Sequence, residues 1–197
     1  IDFIVTSWDP DQTRKQHNVQ AFYWKDVPAL LEAGQRSNLI ILGGGGLFQD
    51  YWGLDSETYL RKNYRDITSY GSLLLLAKLL GKPCMIYAVG IGPFKNSEAL
   101  MHTRFAFENS TISTLRDPDS LDLLRTSGNS YEQLFSEPLI TADPVFTLET
   151  NGEDDDLAAK LLIENNIDLE ADILAVVLRH WDPEGSGIGW LEDISHV

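Results

Sequence analysis

The 197 residues carry 15 Lys and Arg against 30 Asp and Glu, a formal net charge of −15, with 43% hydrophobic residues and a single cysteine. That balance suits one globular domain with a sizeable core, joined to part of a second. It argues against a disulfide scaffold, which one cysteine cannot build, against a bilayer span, since runs such as Leu73 to Ala77 are far too short, and against nucleic acid, whose phosphates such a surface repels.

The chain opens on Ile1-Asp2-Phe3-Ile4-Val5, which reads as a strand over 2–6, so it is expected to begin inside a fold. No basic-then-apolar leader stands there, and with Cys84 as the lone thiol a reducing cytoplasm is expected. A short helix is expected over Val27 to Arg36. A second strand, 39–42, runs into Gly43-Gly44-Gly45-Gly46-Leu47-Phe48-Gln49-Asp50. Tyr70 to Leu80 carries a stronger helical pattern, with Gly81 where a helix would end. The strand 84–89, with Cys84 as buried filler, leads into Gly90-Ile91-Gly92-Pro93-Phe94. Ser97 to Asn109 is helical with Ser97 as N-cap. Strand 111–115 precedes Arg116, and Asp-Pro opens a helix over Asp117 to Ser127 that stops at Gly128. Strand 139–142 is followed by Asp143-Pro144.

Asn151-Gly152 and the acids 153–156 mark a boundary before a helix that begins at Leu157. Acids there complement the helix dipole, and a solvated helix start is favoured over a metal site. Residues 151–197 hold two basic and twelve acidic residues, so two thirds of the excess charge falls in the last quarter. Ile173 to Leu178 reads as a further strand, with Arg179 at its end, opening a second α/β unit that the remaining residues are too few to complete. The chain is therefore expected to be a fragment: an N-terminal domain over 1–148, an acidic linker and helix over 149–172, and the start of a C-terminal domain over 173–197.

Short, apolar strands alternating with helices predict an α/β fold, a doubly wound parallel sheet of Rossmann-like type, its strands buried on both faces. In such a sheet ligands bind beyond the carboxyl ends of the strands. Four of those ends carry glycine, charge or proline, and together they favour a binding edge. The glycines fit no nucleotide loop. G-x-G-x-x-G from Gly43 would need glycine where Phe48 stands, and no Gly-Lys-Ser/Thr follows. Their bare amides suit an anion or sugar site, or a cleft wall. Gln49 and Asp50 offer hydrogen bonds to sugar hydroxyls; Asp50 has the alternative of a helix cap or turn residue. Arg116 offers a planar fork for carboxylate or phosphate, or an internal ion pair with Asp117 or Asp143. His17, His102, His180 and His196 show no metal spacing with one another or with Cys84, so no metal site is expected.

Taken in order, GGGGLFQD (43–50), VGIGPF (89–94), STLRDPDSLDLLRTSG (113–128), TADPVF (141–146) and LRHW (178–181) resemble the polysaccharide pyruvyl transferase family. The resemblance implies a two-domain, glycosyltransferase-B-like enzyme with its site between the domains, this chain being the N-terminal half. It implies transfer of the pyruvyl group of phosphoenolpyruvate to two hydroxyls of a cell-surface polysaccharide sugar as a ketal, with release of phosphate. The acceptor is a sugar or lipid-linked saccharide, which implies peripheral membrane association, and no cofactor is needed beyond the donor. Carried onto these positions, Arg116 holds the anionic donor. Gly43, Gly44, Gly45, Gly46, Gln49 and Asp50, with Gly90 and Gly92, line the N-domain wall, and Arg179 lies at the start of the second domain. The family's Gly-x-x-Asn-x-Gly-Asp-Glu-type first loop has no counterpart here, and its catalytic histidine is expected beyond Val197. The chain alone is thus expected to be inactive. Two other classes stay open: a nucleotide-sugar glycosyltransferase of similar fold, and a non-catalytic carbohydrate- or anion-binding module.

Overall fold

A computed structural model describes residues 1–51, 53–54, 67–126 and 137–173. The chain divides into two compact units, Ile1–Phe146 and Thr147–Val197. The first unit contains two parallel sheets. Strands β1 (Ile4–Ser7) and β2 (Gln20–Tyr23) pair with each other, and β3 (Ile40–Phe48), β4 (Cys84–Ile91), β5 (Ile112–Leu115) and β6 (Leu139–Ile140) lie side by side in chain order. Helices α1 (Pro10–His17), α2 (Val27–Arg36), α3 (Ile67–Leu79), α4 (Ser97–Glu108) and α5 (Pro118–Thr126) connect them in turn. This is the α/β, Rossmann-like class expected from the alternation of strands and helices.

Local chemistry explains where the helices start. Asp9 and Asp26 accept the amides of Gln12 and Ala29 at 3.0 and 3.1 Å, each with a proline in the first turn behind it. Asp117 likewise accepts the Ser120 amide at 2.7 Å ahead of Pro118. The N-cap of α4 is Asn96, whose side chain accepts from Glu98, so Ser97 is the first helical residue rather than the cap.

Three expectations change. First, the strand at the start of the chain joins β2, a strand the short sequence Gln20-Ala21-Phe22-Tyr23 gave no warning of, and not the main sheet. Second, β3 does not end at residue 42. It runs through all four glycines to Phe48, with Gly43, Gly45 and Gly46 in register with Tyr87, Val89 and Gly90. Third, β3 is not buried on both faces: Ile40 and Leu42 are buried while Ile41 between them is 47% exposed. Alternation of this kind means one packed face and one open one.

The packed face carries the core. Ile40, Leu42, Ile86, Val89 and Leu115 of the sheet meet Leu74 of α3, Phe107 of α4 and Leu121 and Leu124 of α5. Phe48, fully buried at the last position of β3, contacts Phe107 at 5.4 Å and Tyr70 at 6.4 Å between ring centroids. The end of the glycine strand is thereby pinned to two helices. Cys84 is buried within the same core, and its thiol donates to the Asn109 carbonyl at 3.1 Å.

In the second unit, α6 (Gly152–Glu164) starts earlier than Leu157. Asn151 accepts the amides of Glu153 and Asp154, and Asp154 in return accepts the Asn151 amide. This capping box places Glu153, Asp154 and Asp155 in the first turn, where the helix dipole favours them. The strand expected over 173–178 falls, from residue 174 on, outside the described residues.

Phe48→Ala removes the ring that joins β3 to α3 and α4. It is expected to cost about 3–5 kcal/mol, as large-to-small changes at filled core sites do. A urea unfolding curve with an unchanged midpoint would show that the strand end does not depend on this ring.

Candidate functional site

The strands of the larger sheet are parallel, so their carboxyl ends share one edge, and Arg116 gathers that edge together. Its backbone continues β5, with its amide donating to the Val89 carbonyl at 3.2 Å. Its guanidinium lies against the neighbouring strands. A Cβ built on Gly90 would stand 2.8 Å from Arg116 Nε, 3.0 Å from Nη2 and 3.1 Å from Cζ, and one built on Gly46 would stand 3.9 Å from Nη2. Gly46 and Gly90 are register partners on β3 and β4. The two bare residues thus form one flat patch of backbone on which the guanidinium rests. Any side chain at Gly90 would have to displace it.

The other glycines answer different needs. Gly44 and Gly45 have φ of 86° and 80° and nothing within 4 Å of a built Cβ, so they are there for the backbone angle and not for space. Ala88 on β4 also has a positive φ, 47°, and donates its amide to Thr114 Oγ1 at 2.7 Å. The ladder shifts register between Gly46 and Phe48 and between Ile86 and Val89. Both strands therefore lose regularity where they approach Arg116, as strands commonly do beside a site.

Two carboxylates hold the guanidinium. Arg116 Nη1 donates to Asp143 Oδ2 at 3.1 Å, and Nε lies 3.6 Å from Asp117 Oδ2. The ion pairs considered from sequence are both present, and the Arg116 side chain remains 36% exposed. Asp143 in turn accepts the Val145 amide at 3.1 Å, at the start of a 3-10 turn over Pro144–Thr147. That amide first, and the Arg116 guanidinium after it, hold the Asp143 carboxyl below the usual carboxylate range, against an opposing push from desolvation.

Asp50 is 5% exposed, and its carboxylate accepts the Lys95 amide through both oxygens at 2.9 Å and the Asn96 amide at 2.7 Å. The contact is long-range: the buried carboxylate ties the end of the glycine strand to the entrance of α4, 45 residues further along the chain. Gln49 Oε1 accepts the Tyr51 amide at 2.9 Å, which commits its oxygen to the turn. Gly92, with φ of 73°, donates its amide to the Phe48 carbonyl and leaves room for Leu123, whose Cδ1 would stand 2.6 Å from a built Cβ. It is a packing residue of the edge. Arg179 and His180 lie outside the described residues. Among the described residues, no three His, Cys, Asp or Glu side chains gather into a set that could hold a metal ion, and no helix is long and apolar enough to cross a membrane.

Sequence reading singled out the strand ends but could not see that Gly46 and Gly90 serve the same side chain. Nor did it find an aromatic group at the ends of β1 and β2: Trp8, Tyr23 and Trp24. The available signal was a repeat of sorts, Trp8-Asp9-Pro10 and Trp24-Lys25-Asp26-Val27-Pro28, each a tryptophan set before an aspartate cap and a helix-opening proline.

The sign of the pH dependence at Asp143 follows from its lowered pKa. Its contribution to stability is full above the unfolded value, about 3.9, and is lost as pH falls through the lower folded value. In Arg116→Ala, a carbon-detected carboxyl titration is expected to move the Asp143 midpoint upward, though not all the way, because the Val145 amide remains. An unmoved midpoint would mean that the pair does not form in solution.

The family model described as polysaccharide pyruvyl transferase matches residues 1–186. No curated protein and no solved structure gives a significant match.

Proposed function

The chain belongs to the polysaccharide pyruvyl transferase family, and on that premise we propose that it is the donor-holding half of an enzyme that moves the pyruvyl group of phosphoenolpyruvate onto a polysaccharide sugar. The family implies a transferase with a polysaccharide acceptor. The choice of donor, the ketal product, a second domain closing over the edge in a glycosyltransferase-B-like cleft, and a cytoplasmic setting are parts of the proposal.

The single observation that carries it is the posture of Arg116. A guanidinium laid on two bare glycines, at the ligand-binding edge of a parallel sheet and about one-third exposed, is a fork held ready for a planar anion. Phosphoenolpyruvate supplies a carboxylate and a phosphate. In the proposed reaction two sugar hydroxyl oxygens bond to the central carbon of the donor, and the carbon–oxygen bond to phosphate breaks. One hydroxyl proton ends on the methylene, which becomes methyl, and the other leaves with phosphate. Positive charge develops on the central carbon and negative charge on the departing group, so a fixed cation favours the step most where the phosphate departs. Arg116 meets that need, and the acid that protonates the methylene is assigned to the second domain.

Asp143 sets a condition on this role. It already occupies Nη1 of Arg116, so a donor anion that takes the fork exchanges with that carboxylate. The exchange replaces one charge-assisted hydrogen bond with another, which keeps the apo arginine oriented at little net cost.

The test is phosphate release from phosphoenolpyruvate by the full-length protein, with candidate saccharides as acceptors. Arg116→Ala is expected to weaken donor binding roughly 10- to 100-fold, the loss of one or two charge-assisted hydrogen bonds. Gly90→Ala is expected to lower kcat/KM by up to about a hundredfold, because it displaces the same guanidinium. Turnover of a UDP-sugar without phosphate release from phosphoenolpyruvate would favour a glycosyltransferase instead. Unchanged donor binding in Arg116→Ala would remove the assigned role.

A further inference from the structure

The carboxyl ends of β1 and β2 carry an aromatic cluster that the Arg116 edge does not use. The β1–β2 ladder matches Ser7 with Tyr23, and it is extended by the Trp24 amide, which donates to the Ser7 carbonyl at 3.0 Å. The next residue on each strand is therefore a tryptophan. The Trp8 and Trp24 rings stack with centroids 6.1 Å apart and planes at 27°, and Tyr23 meets Trp8 edge-on at 5.9 Å. Lys25 Nζ stands 4.9 Å from the Trp24 centroid and 6.0 Å from that of Trp8.

This cluster is not core. Trp8 is 60% exposed and Tyr23 39%, whereas Phe48 and Phe107 are fully buried. Strand pairing, stacking and the lysine above the rings set the cluster in place before any ligand arrives. Asp9, the residue after Trp8, lines a shallow depression of about 760 Å³ on α1, with Asp11, Gln12, Arg14 and Lys15.

We propose that the Trp8 cluster is a saccharide-stacking subsite, which takes the C–H face of a neutral pyranose unit of the acceptor against the tryptophan ring. The inference rests on the polysaccharide acceptor that family membership implies, and it adds where a sugar unit would bind. The C–H bonds on one face of a pyranose carry partial positive charge, and the face of an indole is negative, so the two attract as the lysine ammonium and the rings already do. Hydroxyls at the rim of the sugar need polar partners, and Gln12 and Lys15 line the depression that begins at Asp9, whereas Asp9, Asp11 and Arg14 are engaged with the Gln12 amide, with one another and with the Ala21 carbonyl. Around the cluster Asp9, Asp11 and Asp26 are matched in number by Arg14, Lys15 and Lys25, so its surroundings carry no excess of positive charge to gather a nucleic-acid backbone or an anionic membrane surface. A polymer acceptor spans several sugar units, so a holding subsite need not touch the reacting one.

The test uses the full chain and four neutral tetrasaccharides, of β-1,4-linked glucose, N-acetylglucosamine, galactose and mannose. At least one is expected to quench tryptophan fluorescence and to shift the indole resonances of Trp8 in the unmutated protein. Trp8→Ala is expected to weaken that affinity about tenfold or more, and Trp8→Tyr to retain most of it. No binding by any of the four, shifts confined to resonances elsewhere, or equal affinity in Trp8→Ala would overturn the proposal. So would Trp8-dependent binding to phosphatidylglycerol vesicles without saccharide binding, which would make the cluster a membrane contact. The two readings fail separately. Phosphate release with an acceptor KM indifferent to Trp8→Ala sinks the subsite and leaves pyruvyl transfer standing. Saccharide binding at Trp8 without phosphate release does the reverse.

Discussion

The guanidinium of Arg116 lying on the backbone of Gly90 is the contact on which the rest of the candidate site depends. A planar cation can rest flat on a sheet edge only where the strand beneath has no side chain, and here that strand position would otherwise place a carbon 2.8 Å from Nε. The neighbouring strand must be bare at the same level, and Gly46 is the register partner of Gly90. The requirement then spreads. A strand of glycines has little of its own to pack, so its end is secured by Phe48 in the core and by Asp50, which binds two backbone amides at the start of α4. The residues on either side of the glycine run do structural service so that the run itself can stay bare.

Electrostatics adds a second constraint. An arginine at the edge of a strongly acidic protein would be drawn into whatever carboxylate it could reach, and Arg116 is held by two. Their geometry matters more than their number. Asp117 is committed through its other oxygen to the first turn of α5, and Asp143 to the Val145 amide. Each carboxylate is fixed by a backbone donor and so fixes the arginine in turn. The result is a cation oriented before ligand arrives. Pre-organisation of this kind lowers the ordering cost of binding more than it adds attraction.

How much of this was legible in the sequence depends on the range of the interaction. Asp-Pro at 117–118 is a signal confined to neighbours and marks α5, yet the same pair at 9–10 opens α1, which no expectation covers because Pro10 to His17 holds no apolar residue to show a period. Ser97 reads as a cap because the true one, Asn96, is one residue away and chemically similar. β2 gives no signal because Gln20-Ala21-Phe22-Tyr23 holds none of the Ile, Val or Leu that mark the other strands. The glycine run reads as lying beyond the strand end at residue 42, because glycine is poor in strands by propensity. It stays a strand because β4 supplies hydrogen-bond partners along it and Phe48 anchors its end, both of them facts of tertiary structure. Arg116 was found because its type and its place after an apolar strand are local. That Gly90 serves Arg116, and that Asp50 serves Lys95 and Asn96 from 45 residues away, depends on the fold.

The two parallel sheets end in contrasting chemistry for one structural reason. A parallel strand that feeds a helix must turn at its carboxyl end, and the turn exposes the last side chains of the strand before the helix cap draws the chain back. At β5 the exposed residue is Arg116, with Asp117 as the cap behind it. At β1 it is Trp8 with Asp9 behind it, and at β2 Trp24 precedes Lys25 and the cap Asp26. In all three the aspartate is occupied by backbone amides, so the residue ahead of it decides what the strand end offers. The residue at that position alone thus makes one sheet end charged and the other aromatic.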